Sequence, residues 1–225
     1  KRLAKRTVLA KQRTGAGRMS RCGLLWNVHN QDVFLGQDAD NFKICGDTNM
    51  EELRLFKPSI EYAEQIAEYK AEFSPEQIRA TYDPDRIPGM DYLENYNSIP
   101  EWLCFLDTVK GKITWYMSVR MSDGKIIGFC CLRHKLEYDD DDPDFASNVG
   151  YSIRPSERRK GYAKEQLRLV LQEAKRLGMD HVRIICRDIN IGSNRTILAN
   201  GGKFVDAIYG EESGMTVHRY DVPIS

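Results

Sequence analysis

Residues 158–163 read Arg158-Arg159-Lys160-Gly161-Tyr162-Ala163 and stand between an extended segment at 149–154 and an amphipathic helix. Glycine at position 161 lets the main chain approach a ligand closely, because no Cβ stands in the way. The helix that follows offers unpaired N–H groups and the positive end of its dipole. The three cations at 158–160 add attraction for an anion. The stretch therefore predicts a strand-to-helix turn that can hold a diphosphate.

The spacing of apolar residues predicts the helix after this turn. They recur at three- and four-residue steps: Ala163, Leu167, Val170, Leu171, Ala174 and Leu177. Gly178 supplies the C-terminal cap. Residues 181–186 are rich in β-branched side chains and predict a strand. Strand, loop, helix and strand at this distance form a βαβ unit, whose two strands are expected to lie parallel or nearly so.

Composition sets the broad class of the chain. With 225 residues, 41% of them hydrophobic and 29% charged, it has the composition of a soluble globular protein with one sizeable core. No apolar run reaches the roughly 20 residues of a membrane span, so we expect no membrane association. Six cysteines without a CxxC pair and four widely separated histidines predict no metal site. Cys130 and Cys131 should point to opposite faces of a strand, a pattern that suits reduced thiols and predicts a cytoplasmic location.

The charge is unevenly divided along the chain. Residues 1–31 contain eight Lys or Arg and no Asp or Glu, whereas the remainder carries 25 basic and 33 acidic residues, a net of −8. We interpret residues 1–49 as a basic extension that is disordered or not part of the natural protein, and residues 50–225 as the domain. A basic arm for nucleic acid or anionic lipid, or a targeting segment, stays open as an alternative.

The order of the remaining elements follows from caps and turns. A strand at 52–57 and a helix at 59–70 come first. Ser74 and Ser98 each stand three residues before Gln or Glu, the spacing of a capping box, and predict two helix starts with an aromatic loop at 82–97 between them. Extended runs at 113–121 and 125–136 form a hairpin. The predicted order is β, two or three helices, βββ, α, β, α, ββ.

The passage Ser152-Ile153-Arg154-Pro155-Ser156-Glu157-Arg158-Arg159-Lys160-Gly161-Tyr162-Ala163 resembles motif A of the GNAT N-acetyltransferase superfamily, whose loop binds the pyrophosphate of acetyl-coenzyme A. A second stretch, Asn190-Ile191-Gly192-Ser193-Asn194-Arg195, followed by Asn200-Gly201-Gly202, is similar to the family's next helix. The resemblance runs from about Met50 to the end of the chain. It implies a mixed α/β fold, a twisted mixed β-sheet of about six to seven strands flanked by helices on both faces.

The resemblance implies acetyl-CoA as the acyl donor and a set of residues that contact it. They are Tyr151, Ser152, Ile153, Arg158, Arg159, Lys160, Gly161, Tyr162, Ala163, Asn190, Ser193 and Asn194. The main chain of 151–153 would pair with the pantetheine arm and bind the thioester oxygen, and residues 158–163 would bind the pyrophosphate. Asn190 would contact the pantetheine, and because asparagine is also favoured as a helix cap, both roles can coexist.

The catalytic groups are less well marked than the cofactor loop. Many members of the superfamily have an acid tyrosine seven residues after the asparagine, where this chain has Ile197, so that role is excluded. Residues 146–153 contain no acid, which leaves His134 and Glu137, at the end of the preceding strand, as candidate general bases. A packing or surface role for His134 stays open.

The resemblance also implies an amine acceptor, either a small molecule or a peptide, and makes a homodimer possible. An acidic run at 139–142 could attract a cationic amine, although such a run is more often a solvated connection. Two non-catalytic functions stay open as alternatives. One is a coenzyme A-binding regulatory module of the same fold, and the other is nucleic-acid binding through the basic residues 1–31, which we do not expect.

Overall fold

The computed structural model of the chain describes residues 51–79, 86–136, 145–211 and 213–224. The basic extension predicted at residues 1–49, the acidic run at 139–142 and the candidate base Glu137 lie outside the described residues. Of the aromatic loop predicted at 82–97, the part from Arg86 onward is described.

The described residues contain strands and helices in the predicted order. The strands are β1 (Leu53–Phe56), β2 (Ile113–Arg120), β3 (Ile126–Arg133), β4 (Val149–Ile153), β5 (His181–Arg187), β6 (Lys203–Gly210) and β7 (Met215–Pro223). The α-helices are α1 (Ala63–Ala71), α2 (Pro75–Arg79), α3 (Ile99–Thr108), α4 (Tyr162–Arg176) and α5 (Ile191–Ala199). Short 3₁₀ turns occur at Ile60–Tyr62, Leu93–Asn95 and Pro155–Glu157.

The serine caps predicted at Ser74 and Ser98 both form, at the starts of α2 and α3, and the capping box is complete at Ser74. The Oγ of Ser74 accepts a hydrogen bond from the N–H of Gln77, whose side chain in turn accepts one from the N–H of Ser74. The Oγ of Ser98 accepts from the N–H of Glu101. These bonds satisfy N–H groups that the first turn of a helix leaves without a partner. The sequence therefore located these two helix starts correctly.

Strands β1 to β4 form an antiparallel sheet in chain order, and β3 is buried along its whole length. Successive side chains of a strand point to opposite faces. Phe129 and Cys131 belong to the core under α1 and α3, whereas Cys130 and Leu132 belong to the core under α4. The adjacent cysteines thus face opposite sides, as predicted, and helices cover both faces of the sheet.

Helix α4 packs on the sheet through the apolar stripe that the sequence predicted. Leu167, Val170 and Ala174 are fully buried. The helix ends in a Schellman motif, in which Gly178 adopts a φ of +74° and the N–H of Met179 donates to the carbonyl of Ala174.

The buried Gln166 also ties α4 to the sheet. Its Nε2 donates to the carbonyl of Phe129 at 2.7 Å, and its Oε1 accepts from the Oγ of Ser118 at 3.1 Å. This approach requires glycine at position 128, because a Cβ there would lie 2.1 Å from Oε1 of Gln166. Gly128 and Gln166 thereby set the distance between the helix and β3.

Strands β5, β7 and β6 form a second antiparallel sheet in that order. The resemblance implied a twisted mixed sheet of about six to seven strands, and the number of strands is confirmed. Strands β4 and β5 of the βαβ unit, which the sequence predicted to lie parallel or nearly so, belong to different sheets. Val182, Ile184, Tyr220 and Val222 of the second sheet share the core under α4, which joins the two sheets into one α/β layer structure.

Candidate functional site

The residues just before β4 contact the middle of β5, and the two strands then separate. The N–H of Asn148, just before β4, donates to the carbonyl of Arg183 at 2.8 Å, and its Oδ1 accepts from the N–H of Arg183 at the same distance. The Oγ of Ser147 accepts from the N–H of Ile185. In the described part of the chain, no main-chain hydrogen bond joins the two strands beyond these residues. A gap therefore opens between the strands toward their carboxyl ends.

The register of β4 on β3 decides which main-chain groups face this gap. The N–H of Arg154 donates to the carbonyl of Ile127, and the N–H of Arg133 donates to the carbonyl of Asn148. Because hydrogen-bonded pairs alternate along an antiparallel ladder, even-numbered residues of β4 bond to β3. The main-chain groups of Tyr151 and the N–H of Ile153 consequently point into the gap.

The same register corrects the expectation for Ser152. Its main-chain groups are turned toward β3, opposite Phe129, and not toward the gap. Its side chain lies on the α1 face, where the hydroxyl donates to the carbonyl of Pro88 at 2.6 Å and accepts from the hydroxyl of Tyr69 at 3.0 Å. Ser152 is thus held by its neighbours, while residues 151 and 153 present the free edge.

The turn after β4 has the main-chain geometry that its sequence predicted. Gly161 adopts a φ of +85° and caps α4, and Arg159 also lies in the left-handed region, with a φ of +67°. Among the described residues, the main-chain N–H groups of 159–163 donate to no protein acceptor. They stand at the N-terminus of a fifteen-residue helix, where the dipole favours an anion. The turn is therefore open to a phosphate or diphosphate.

The three cations of the turn have different surroundings. The guanidinium of Arg158 lies over the ring of Phe73, and its Nε donates to the carbonyl of Ile153 at 3.2 Å. The ammonium of Lys160 donates to Glu157 at 2.8 Å. The side chain of Arg159 is exposed and makes no hydrogen bond or ion pair within the described residues. Arg159 is thus the cation of the three that is not engaged elsewhere.

Glu157 anchors the turn to the hairpin between β2 and β3. Its buried carboxylate also accepts from Arg120 at 3.0 Å and from Lys125 at 2.9 Å. Burial works against the ionised form, but the hydrogen bonds from Lys160, Lys125 and Arg120 outweigh it and lower the pKa of Glu157 from 4.5 to about 2. The turn is therefore tied to the sheet by a carboxylate that is ionised at neutral pH.

Tyr162 and Ala163 contribute their main chain to the site. The ring of Tyr162 is buried with Leu53, Ile127 and Ile153, and its hydroxyl accepts from Arg120 at 3.2 Å. The side chain of Ala163 packs against the same cluster. With its side chain held in the core, Tyr162 offers no acid to the gap.

The start of α5 lies across the gap from β4. The exposed Asn190 caps this helix, since its Oδ1 accepts from the N–H of Ser193 at 3.1 Å. The hydroxyl of Ser193 lies 2.8 Å from that of Tyr151, so a side chain of β4 reaches the first turn of α5. Burial raises the pKa of the Tyr151 hydroxyl, which keeps it protonated at neutral pH. Both hydroxyls lie beside the free edge of β4.

Asn194 has a different environment from the other predicted contacts. It is buried, and its amide nitrogen donates to the carbonyls of Arg187, Asp188 and Asn190. Its Oδ1 accepts from the hydroxyl of Tyr220 at 2.6 Å and lies 3.0 Å from Nδ1 of His218. This arrangement favours a structural role for Asn194, which fixes the β5–α5 turn against β7.

His134 follows β3 and lies at the end of the sheet where β4 begins, opposite the 158–163 turn. Its Nδ1 is 2.9 Å from the carbonyl of Gly111 and its Nε2 is 2.9 Å from the hydroxyl of Thr114. A neutral ring satisfies both contacts when Nδ1 donates and Nε2 accepts. The lone pair of Nε2, which a general base would need, then already accepts a hydrogen bond from Thr114. This geometry favours the packing role that the sequence left open for His134.

Several residues that contact the site were missed by the sequence analysis. Tyr69, in α1, and Glu72 and Phe73, directly after its last residue, contact β4 or the chain that follows it. Pro88 and Gly89 cross β4 on the α1 face, and a Cβ at Gly89 would lie 2.6 Å from the carbonyl oxygen of Phe129. No local motif marks these positions, because each contact joins residues that are far apart in the sequence.

Near them, Asp91 and Arg133 form a buried ion pair at 2.8 Å, to which the thiol of Cys131 also donates. In the described residues, no group of three His, Cys, Asp or Glu side chains is arranged to hold a metal ion. Over the same part of the chain, no helix is long and apolar enough to cross a membrane.

The geometry thus combines an unpaired strand edge with an adjoining turn of free N–H groups, a combination that suits an extended ligand ending in a diphosphate. Comparison with known proteins agrees with this. The family model described as an acetyltransferase (GNAT) domain matches residues 52–203. The chain belongs to the GNAT acetyltransferase family. The family resemblance, the mixed α/β fold and the assignment as an acetyltransferase are thereby confirmed. A comparison with curated protein sequences found no match.

Solved structures of GNAT acetyltransferases share the fold. RimL, a ribosomal L7/L12 alpha-N-protein acetyltransferase in complex with coenzyme A, has a TM-score of 0.58 and 14% identity over 76% of this chain and 94% of its own. The ribosomal-protein-S5-alanine acetyltransferase of Vibrio fischeri has a TM-score of 0.58 and 16% identity, over 79% and 96%. The microcin C7 self-immunity acetyltransferase MccE, in complex with acetyl-CoA and AMP, has a TM-score of 0.57 and 18% identity, over 78% and 94%.

Proposed function

We propose that the chain transfers the acetyl group of acetyl-CoA directly to a primary amine. One observation carries this proposal: the free main-chain edge of β4 leads, through a short turn, to five consecutive N–H groups that have no partner among the described residues. An extended pantetheine arm needs the first feature and a diphosphate needs the second.

The residues present fit this donor in detail. The main-chain groups of Tyr151 and the N–H of Ile153 would pair with the pantetheine arm, and the N–H groups of 159–163 would bind the diphosphate. Arg159 supplies a side chain that is free to approach a phosphate. Asn190 is exposed at the start of α5, and its side-chain NH₂ group is available beside the gap, since the cap uses Oδ1 alone.

Direct transfer requires an amine to attack the thioester carbonyl while a donor stabilises the developing negative charge on oxygen. A main-chain N–H of the free β4 edge can supply that donor without rearrangement. No acid is available at position 197, because Ile197 is fully buried and apolar. Coenzyme A leaves as a thiolate when the thioester C–S bond breaks, and the proton that the amine nitrogen loses passes to solvent water, so the proposal does not depend on a dedicated acid.

For the acceptor we propose a peptide or small-molecule amine, with protein N-terminal amines as the first class to test. RimL and the S5-alanine acetyltransferase are named for acetylation of ribosomal proteins, and both share this fold. The likeness is one of fold, so the choice among amines needs experiment. We also propose that the chain forms a homodimer.

The alternative is a coenzyme A-binding regulatory module without catalysis. It is favoured by the engagement of both His134 nitrogens and by the apolar residue at 197, which leave no assigned base or acid among the described residues. It uses the same turn and strand edge, so binding alone does not separate the two functions.

The deciding experiment measures binding and turnover together. Calorimetry should show that acetyl-CoA binds, and thiol release should rise when pooled peptides with free N-termini or small amines are added, with an acetylated product visible by mass spectrometry. Binding without turnover across a broad panel would favour the regulatory module. Absence of acetyl-CoA binding would refute both functions.

A further inference from the structure

Three residues at the C-terminus of α1 contact the chain that leads from β4 to the diphosphate turn. Tyr69, Glu72 and Phe73 contact alternate residues of this path, at 152, 154, 156 and 158. These residues directly precede the free N–H groups of 159–163. A helix outside the turn therefore holds the chain on which the geometry of the turn depends.

Glu72 makes the central contact. Its Oε1 accepts from Arg154 at 2.5 Å, and its Oε2 accepts from both the hydroxyl and the N–H of Ser156, at 2.7 and 3.3 Å. The hydroxyl and N–H of Ser156 together use one carboxylate oxygen, so this contact fixes the main chain as well as the side chain. Burial disfavours the ionised carboxylate, but the bonds from Ser156 and Arg154 keep the pKa of Glu72 below 4.5.

Arg154 explains why the contact needs a carboxylate. Its side chain is only 5% exposed, its guanidinium lies over the ring of Tyr69, and its Nε donates to the carbonyl of Ile126 at 2.6 Å. A buried guanidinium without a counter-charge is unfavourable. Removing the charge of Glu72 should therefore destabilise the position of Arg154 and strain the segment that carries it.

We propose that Glu72 is a positioning residue for the donor site: from the end of α1 it holds Arg154 and Ser156 so that the N–H groups of 159–163 are preorganised for the diphosphate. This inference rests on the proposed function. Glu72 does not touch the ligand, and its effect is on affinity for the donor, because preorganisation of the turn lowers the cost of ordering it on binding.

Glu72→Gln tests the proposal, with Asp206→Asn as the matched control. Asp206 holds Arg219 across β6 and β7 with two hydrogen bonds, and it therefore also pairs a carboxylate with a largely buried arginine, away from the turn. Calorimetry with coenzyme A should show at least a fivefold rise in Kd for Glu72→Gln and less than a twofold change for Asp206→Asn. The KM for acetyl-CoA should rise in parallel while kcat changes less than twofold.

Ser156→Ala provides a second test that leaves Arg154 paired. Its Kd for coenzyme A should rise at least twofold, and in the double variant the two effects should not multiply, since both act through one contact. If Glu72→Gln lowers the melting temperature but both variants bind coenzyme A as the wild type does, Glu72 is only structural and the inference is overturned. If the wild type itself does not bind coenzyme A, the proposed function fails first.

Discussion

The hydroxyl of Tyr151 lies 2.8 Å from the hydroxyl of Ser193, so one hydrogen bond joins β4 to the first turn of α5 across the gap. The side chain of residue 151 is thereby held in place while its main-chain groups point to the free edge of the strand. The side chain of Tyr151 therefore connects β4 to α5, whereas its main chain is available to bind a ligand, and the two roles can be tested separately.

Replacing Tyr151 by proline, with Tyr151→Ala as reference, tests the binding role. Both variants lose the hydroxyl bridge and the packing of the ring, but only proline also removes the main-chain N–H. Proline is tolerated at this position because the N–H does not take part in the ladder with β3. We expect Tyr151→Pro to bind coenzyme A at least tenfold more weakly than Tyr151→Ala in calorimetry.

Circular dichroism must show that both variants are folded for this comparison. Ser152→Pro serves as a contrast, because the N–H of residue 152 belongs to the ladder and its loss should destabilise the fold itself. Equal affinities of Tyr151→Pro and Tyr151→Ala would show that the β4 edge does not bind the donor.

Gly161 and Gly178 stand at the two ends of α4 and share a left-handed backbone, with φ values of +85° and +74°. Alanine at either position should cost about 1–2 kcal/mol of stability, since a Cβ is strained in this region. At position 161 the same change should also weaken coenzyme A binding at least tenfold, because it disturbs the turn of free N–H groups. Comparison of the two variants separates the effect of backbone strain on stability from the effect on coenzyme A binding. Undiminished affinity of Gly161→Ala would contradict the site assignment.

Glu157 predicts a dependence of stability on pH. Its pKa in the folded chain, about 2, lies below the usual 4.5, so its contribution is fully present above pH 4.5 and is lost as the pH falls toward 2. Glu157→Gln should therefore be less stable than the wild type at pH 7, by on the order of 2 kcal/mol, and the difference should shrink between pH 5 and pH 3.

Urea unfolding at a series of pH values measures this difference directly. Comparison with Glu157→Gln is needed because Asp123 and Glu72 also have lowered pKa values and contribute in the same direction. A constant difference between the two proteins across this range would mean that the three cations do not stabilise the carboxylate.

His134 offers a test of the catalytic assignment. Because both ring nitrogens are engaged with Gly111 and Thr114, we expect His134→Gln to lower the melting temperature by a few degrees and to leave the shape of the pH profile of kcat/KM unchanged. Loss of the acidic limb of that profile in the variant would restore His134 as the general base.

Local patterns in the sequence predicted the parts of the site that depend on nearby residues. The cap at Gly161, the stripe of α4 and the cap at Asn190 each rely on residues within a few positions of one another. The roles of Ser152 and Asn194 could not be read in this way. Ser152 depends on the register of β4 against β3, and Asn194 depends on Tyr220, which lies 26 residues away.

The same limit applies to the place where β4 and β5 separate. A βαβ pattern fixes the order of two strands, but the hydrogen bonds of Asn148 and Ser147 with β5 decide where pairing stops. Those bonds come from residues outside any regular element. The contacts between the end of α1 and the residues before the turn could not be predicted either, because Glu72 and Ser156 are 84 residues apart.

The contact between Gly128 and Gln166 constrains how relatives of this chain can diverge. A Cβ at 128 would lie 2.1 Å from the amide oxygen of Gln166 and 2.7 Å from the carbonyl oxygen of Ser152, so a shorter residue at 166 would not by itself make room for a side chain at 128. A change at 166 would also leave the hydroxyl of Ser118 without its acceptor. Descendants are therefore expected to keep glycine at 128 even where residue 166 changes.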